Sequence, residues 1–316
     1  MTQVQYRRRK RKKNQIPPLF WLLFVLAAAV IVIVCIVTAG TEEKAAPSQP
    51  PAEASAQPPE GNWMQLEMEP GSISQGDLVL VNAEHGIDDT AKLVSVFDQK
   101  THSYHVKDTE LSVDARIMAP LNAWLHAFQE ATGLGNVNIV AGYRTKKTQQ
   151  ELYDNALQTR GSAHAQQYIA LPGRSEHHTG LAIDLDTYFP DTGASGGFDG
   201  TGEYQWVEEH AWEYGFIRRY PEFKAQFTGI SYEPWHFRYV GVPHAYEMDR
   251  ENLCLEEYID LLREYPFEGE HLRVDCEGNS YEIYFCPQGK VSVPSDRPYT
   301  ISGNNVDGYI VTVTGQ

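Results

Sequence analysis

Nineteen consecutive residues without a charge, Leu19 to Val37 (LFWLLFVLAAAVIVIVCIV), follow a head that carries Arg7, Arg8, Arg9, Lys10, Arg11, Lys12 and Lys13. A helix rises ~1.5 Å per residue, so the run would span about 28 Å, close to the hydrocarbon thickness of a bilayer. The basic flank of such a segment stays in the cytoplasm. The pattern predicts a cytoplasmic segment at 1–16, a transmembrane signal anchor at 17–40, and a single-pass protein of the cell membrane with everything beyond it extracellular. A cleaved signal peptide is the competing reading, because Ala45 and Ala46 follow the run. The run exceeds the ~7–15 apolar residues of a signal sequence, which favours the anchor.

Charge divides the chain in the same place. Residues 1–16 hold seven of the 26 Lys+Arg and no acid, so the remainder sets 19 basic residues against 42 acidic ones. A body that acidic argues against general nucleic-acid binding. Residues 41–62 are rich in Pro, Ala, Ser and Glu without apolar periodicity, and are expected to be a disordered linker. Four cysteines in 316 residues exclude a disulfide-built scaffold. Cys276 and Cys286 flank a turn at Gly278-Asn279 that would not set them opposite one another.

From Trp63 onward apolar residues return, separated by turn signals. Asp77–Asn82 (DLVLVN) and Gly180–Leu185 (GLAIDL) alternate like strands, and Asn138–Ala141 is a short apolar strand. Ala119–Thr132 places Leu121, Trp124, Leu125 and Phe128 on one helical face, with Pro120 at its start and Gly133 at its end. Helices are also expected over Thr145–Gln158, Glu203–Tyr214 and 251–265. The tail from His271 is rich in Tyr, Val and Ile with regular turns. No regular βαβ repeat is present, so the expected class is α+β. The expected division is a catalytic domain at 63–248 and a helix plus a small β-rich appendage at 249–316.

Two segments concentrate chemistry: Ser175–Asp186 (SEHHTGLAIDLD) and Tyr232–Gly241 (YEPWHFRYVG). A zinc hydrolase needs three His or carboxylate ligands, a position left for water, and a carboxylate beside the metal to take the proton of that water. His177 and Asp184 flank a turn at Gly180 and a strand, and His236 would be the third ligand. Glu233, three residues earlier on a Pro-containing loop, would be the base. His178 and Asp186 compete with their neighbours, since strand alternation separates Asp184 from Leu185 but not from Asp186.

SEHHTGLAID resembles the Ser-x-His-x-x-Gly-x-Ala-x-Asp signature of VanY-type D-alanyl-D-alanine carboxypeptidases, zinc peptidases of the lysostaphin/D-Ala-D-Ala carboxypeptidase/hedgehog superfamily. EPWHFRYVG is similar to the second signature of that family, and GYRTKKTQQELY (Gly142–Tyr153) to its Tyr-Arg segment followed by Gln. Tyr214–Tyr220 and Thr228-Gly229 fit the same pattern, so the likeness covers roughly residues 75–245. The resemblance implies an α+β zinc peptidase domain with a central antiparallel sheet and flanking helices. It implies Zn2+ held by His177, Asp184 and His236, with Glu233 as catalytic base. It also implies that Arg144 pairs with the terminal carboxylate of the substrate, and that Ser175, Gln149 and Trp235 shape the pocket. His178 and Asp186 then fall back to structural roles.

The expected reaction is removal of the terminal D-Ala from a peptidoglycan stem peptide ending in D-Ala-D-Ala. Three rivals stand beside it. A peptidoglycan endopeptidase would share the chemistry but not the need for Arg144. A dipeptidase for free D-Ala-D-Ala would rarely meet that dipeptide outside the cell. A non-catalytic, zinc-stabilised cell-wall-binding module would close its metal with a fourth protein ligand, and would have no use for Glu233.

Overall fold

Strand pairing organises the chain from Trp63 to Thr314. The computed structural model describes residues 61–88 and 91–315. The segments expected at 1–16 and 17–40, and nearly all of the linker at 41–62, lie outside these residues. Among the described residues no helix is long and apolar enough to cross a membrane.

In chain order the strands are β1 (Trp63–Glu67), β2 (Leu93–Ser95), β3 (His105–Val106), β4 (Ser112–Asp114), β5 (Val137–Ala141), β6 (Ala182–Phe189), β7 (Ala194–Gly197), β8 (Phe216–Tyr220), β9 (Glu233–Tyr239), β10 (Leu272–Cys276), β11 (Asn279–Pro287), β12 (Lys290–Pro294), β13 (Tyr299–Gly303) and β14 (Gly308–Thr314). The central sheet runs β3-β5-β6-β9-β8, with β7 paired to the far half of β6. Its pairings are antiparallel except at the edge, where β3 runs parallel to β5. Together with its helices this gives the expected α+β architecture.

Alternation along the strands decides which residues meet. Leu181, Ile183 and Leu185 of the β6 segment, Phe237 of β9, Phe216 of β8 and Val137 and Ile139 of β5 all point to one face. The helix Met118–Thr132 covers that face with Leu121, Trp124, Leu125 and Phe128, each fully buried. The Trp124 ring stacks on Phe216 with centroids 4.9 Å apart. Gly133 ends the helix at φ 75°, a left-handed conformation that costs a residue without a Cβ little. The intervening residues, Asp184, His236 and Arg238 among them, are left on the opposite face.

The C-terminal β-rich part is a four-stranded antiparallel sheet, β10-β11-β14-β13. The helices Val242–Arg250 and Leu255–Leu262 pack between it and the central sheet through Met248, Tyr258, Ile259, Leu272, Ile283 and Ile310. Its other face is covered by β1 paired with β12. Cys276 pairs with Asn279 across the β10–β11 hairpin, whereas Cys286 lies opposite Tyr309 on β14. Cys254, Cys276 and Cys286 are buried free thiols.

Four local expectations are corrected. Asp77–Asn82 is not a strand. Leu78, Val79, Leu80 and Val81 are all buried, so the segment threads the interior and is solvated on neither side. Its backbone is satisfied by Ser302 Oγ, Asn304 O and the Arg238 guanidinium instead of a ladder. The helix expected at 203–214 breaks at His210, whose ring stacks on Trp206 and bonds Glu213. The helix expected at 251–265 is confined to Leu255–Leu262, because Asn252 takes a left-handed φ of 52° just before it. Glu233 lies on strand β9 and not on a loop. The register of β8 against β9 shifts between Arg218 and Tyr220, so the missing N–H of Pro234 falls at an irregularity where the ladder needs no donor.

Candidate metal centre

Two consecutive segments and a third about fifty residues further along the chain meet at the middle of the central sheet. Asp184 on β6 and His236 on β9 are direct register partners. His177 reaches them from the short 3-10 turn Glu176–Thr179, which ends at Gly180 with φ 68°. Any Cβ at position 180 would stand 2.8 Å from the Asp114 nitrogen, so both the turn and the close approach require glycine. One ligand atom from each of His177, Asp184 and His236 lies within 4.8 Å of the others. Three donors about 2.1 Å from one tetrahedral ion would stand roughly 3.4 Å apart, so small side-chain rotations suffice to close the trio on a cation. Two imidazoles and a carboxylate form a donor set suited to zinc, with a coordination position left over.

The surroundings orient these groups. The Nδ1–H of His177 donates to Gly142 O at 2.6 Å, which leaves its Nε2 lone pair aimed at Asp184 Oδ2, 3.3 Å away. That carbonyl can come so close because a Cβ on Gly142 would collide with Ser112 O at 2.4 Å, and the glycine has none. The Arg144 N–H in turn donates to His177 O. His236 Nδ1 lies 2.8 Å from Asp184 Oδ1. Burial, then the Arg144 charge, depress His177 to a pKa of about 4, so it is neutral as a metal ligand must be. Burial would raise Asp184, but His177 and Arg144 hold its carboxyl well below the usual range. Burial would lower His236, yet the Asp184 and Glu176 carboxylates beside it push it up to about 9, and a bound cation would displace the proton from Nδ1.

Glu233 is 6% exposed, and its Oε2 lies 3.9 Å from His236 Nδ1. Burial first, then the neighbouring Asp184 charge, push its pKa up to about 8, against the attraction of His236. Such a carboxylate is a stronger proton acceptor than an exposed one.

A cavity of about 490 Å³ opens on this group. Its lining includes all eight residues that the resemblance assigns to the site: Arg144, Gln149, Ser175, His177, Asp184, Glu233, Trp235 and His236. Arg144 Nη2 bonds Asp184 Oδ2 at 2.5 Å, and its Nη1 is 3.5 Å from Gln149 Oε1. Gln149 is itself fixed by its amide donating to Ala170 O. Two of the five guanidinium N–H donors are thereby engaged and three remain for a ligand. Trp235 both lines the cavity and packs on the main core.

The competitors in sequence resolve on register. Asp186 lies two residues further along β6, opposite Asn138 and Gly197. His178 Nδ1–H donates to Arg144 O and its Nε2 accepts from the Gly173 N–H, so it ties two cavity loops together. Sequence reasoning missed Tyr220, whose ring lies tilted 4.8 Å from that of His236, and Arg160, His164 and Tyr168, which also line the cavity. It also missed Glu176, Arg219 and Arg238, which form a buried ionic cluster behind His236. Arg218 and Arg219 alternate on β8: Arg219 is fully buried, whereas Arg218 is partly exposed and pairs with Glu208.

Comparison with known proteins shows which family the chain resembles. The family model "VanY: D-alanyl-D-alanine carboxypeptidase" matches residues 110–242. A D-alanyl-D-alanine carboxypeptidase of Enterococcus faecium is 36% identical over 250 residues, which is 76% of each chain. One from Enterococcus faecalis (strain ATCC 700802 / V583) is 35% identical over 218 residues, covering 65% of this chain and 74% of that one. A solved structure of the vancomycin-resistance D,D-dipeptidase VanXYg, in complex with a D-Ala-D-Ala phosphinate analogue, matches with a TM-score of 0.71 at 32% identity, over 81% of this chain and 100% of that one.

Proposed function

The chain belongs to the VanY family of D-alanyl-D-alanine carboxypeptidases, and from that premise we propose that it removes the terminal D-alanine from peptides ending in D-Ala-D-Ala, the stem peptides of peptidoglycan being the substrate class. It is a zinc-dependent peptidase. His177 through Nε2, Asp184 through its carboxylate and His236 through Nδ1 are the ligands. The observation that carries the reading is the placement of Arg144, a guanidinium on Asp184 in the same cavity as Glu233.

Bound zinc supplies the Lewis acidity that makes water a nucleophile near neutral pH. The residues of the chain do the rest. Glu233 accepts the proton of the attacking water and delivers it to the nitrogen of the departing D-alanine, so one carboxylate is base and then acid. Arg144 grips the terminal carboxylate with parallel N–H bonds, the geometry a planar guanidinium offers. This fixes the register, so that only the last peptide bond reaches the reacting centre. Gln149 holds Arg144 in place, Ser175 offers a hydroxyl on the cavity wall, and Trp235 forms an apolar side for the alanine methyl groups.

Arg160, His164 and Tyr168 line the same cavity as the metal ligands, and its volume of about 490 Å³ favours a longer peptide over a free dipeptide. The basic head and uncharged run at 1–40 support a membrane anchor with the enzyme on the outer side, where such peptides are found.

The test is a parallel assay of three substrates: a pentapeptide ending in D-Ala-D-Ala, its C-terminal amide, and a cross-linked dimer of stem peptides. Release of D-alanine from the free acid alone supports the proposal. Cleavage of the dimer with the free acid untouched would replace it with an endopeptidase.

A further inference from the structure

Glu176 is a buried carboxylate that catalysis as described above does not use. It follows Ser175 on the turn that carries His177, and its side chain has no exposed surface. Its Oε1 accepts from Arg219 Nε at 2.7 Å and Arg238 Nη1 at 2.9 Å. Its Oε2 has no hydrogen-bond partner, and neither does His236 Nε2, although both are shut off from solvent. The two atoms are 3.5 Å apart. A buried donor and a buried acceptor left unpaired each cost free energy, and a shift of about half an ångström satisfies both.

The other nitrogen of His236 already faces the ligand group, at 2.8 Å from Asp184 Oδ1. An imidazole that ligates through Nδ1 must carry its proton on Nε2, and an acceptor there fixes tautomer and ring orientation together.

Glu176 is held in turn. Burial would raise its pKa, but Arg219 and Arg238 keep it ionised well below the ordinary carboxylate range. Arg219 spends its two terminal nitrogens on Glu256, at 2.8 and 2.6 Å, and Glu256 belongs to the helix Leu255–Leu262. Arg238 donates to the backbone of Asp77 and Val79. Two arginines and two carboxylates thus balance in the interior, and they connect the C-terminal helix to the back of the metal centre.

We infer that Glu176 is a positioning residue that makes His236 present Nδ1 to the metal, and that Glu256 on the C-terminal helix completes this brace through Arg219. The inference rests on the zinc site proposed above, and gives the part of the chain beyond 249 a role in it. Losing the Glu256 charge leaves Arg219 with Glu176 as its remaining carboxylate partner, which draws Glu176 away from His236.

Glu176→Gln and Glu256→Gln test it, since both keep side-chain shape. Zinc dissociation constants come from competition with a chelating dye, on protein whose circular dichroism matches the wild type. Glu176→Gln is expected to weaken zinc 10- to 100-fold and to change the visible spectrum of the cobalt-substituted protein, and Glu256→Gln to weaken zinc by a smaller factor. Wild-type affinity and spectrum in a folded variant overturn the role given to that residue. A third measurement needs no variant. In zinc-loaded protein with 15N-labelled histidine, Nε2 of His236 should carry a slowly exchanging proton, and an unprotonated, metal-bound Nε2 overturns the inference. If the wild type fails to bind zinc at all, the zinc site itself is wrong. Tight zinc binding without D-alanine release would sink the proposed activity and leave the brace standing.

Discussion

Asp184 and His236 face each other as register partners on adjacent antiparallel strands, with Oδ1 and Nδ1 2.8 Å apart. The sheet therefore fixes two of the three proposed ligands before any metal arrives, and only His177 depends on a turn. Rigid strands carry the chemistry, and the Gly142 carbonyl and the Glu176 carboxylate stand behind the two imidazoles.

Glu233 is assigned the proton transfers. Glu233→Gln keeps size and polarity but cannot accept the proton, so turnover should fall about 10²- to 10⁴-fold while zinc content stays at the wild-type level. Steady-state rates beside metal analysis check this. Full turnover in the variant would remove Glu233 from the mechanism.

Arg144 should matter through the terminal carboxylate. Charge-assisted hydrogen bonds are worth about 1.5–3 kcal/mol, so Arg144→Ala should lower kcat/KM on free-acid peptides roughly ten- to hundred-fold. The residual hydrolysis of C-terminal amides should be little changed. An equal loss on both substrates would mean that Arg144 serves Asp184, which it also touches, and not the substrate.

The cavity lining beyond the eight expected residues makes a prediction about length. Arg160 Nη1 lies 3.3 Å from His164 Nε2, and both line the cavity with Tyr168. Arg160→Ala should raise KM for pentapeptides and leave hydrolysis of free D-Ala-D-Ala unaltered, because the dipeptide ends before it. KM values that move together on both substrates would contradict this.

How much of this could be read from residues alone differs by level. The ligand trio and Glu233 stand in two segments dense in His and carboxylate, and their residue types announce the chemistry. Alternation alone does not separate Asp184 from Asp186, because it puts both on one face; the signature resemblance selects Asp184, and the pairing of β6 with β9 sets that residue beside His236. DLVLVN was misread because strand-like alternation also fits an extended segment buried on every side. Glu176 and Arg238 sit inside the quoted segments. Their burial, and their link to Arg219 and Glu256, depend on ion pairs between residues as much as 62 positions apart in sequence (Glu176 to Arg238), which no local pattern encodes.

Stability should depend on pH through His244. Its Nδ1 meets Tyr258 Oη at 2.8 Å and its Nε2 meets Thr312 Oγ1 at 3.0 Å, joining both C-terminal helices to β14. Burial lowers its pKa to about 3, whereas an unfolded histidine titrates near 6.5. Between about pH 6.5 and 3 the unfolded chain binds the extra proton. The stability due to neutral His244 is therefore full above pH 6.5 and is lost as pH falls through that window. Urea unfolding of chelator-treated protein at pH 7.5 and 5.0 should show a drop that is about 2 kcal/mol smaller in His244→Gln than in the wild type. An identical drop in both would place the titrating group elsewhere.

The central claim is tested most directly by stripping the protein with a chelator and following D-alanine release from a D-Ala-D-Ala pentapeptide as zinc is titrated back. Release should vanish on stripping and return in full at one zinc per chain, with no recovery in Asp184→Ala. Undiminished release from the stripped protein, or full recovery in the variant, would contradict it.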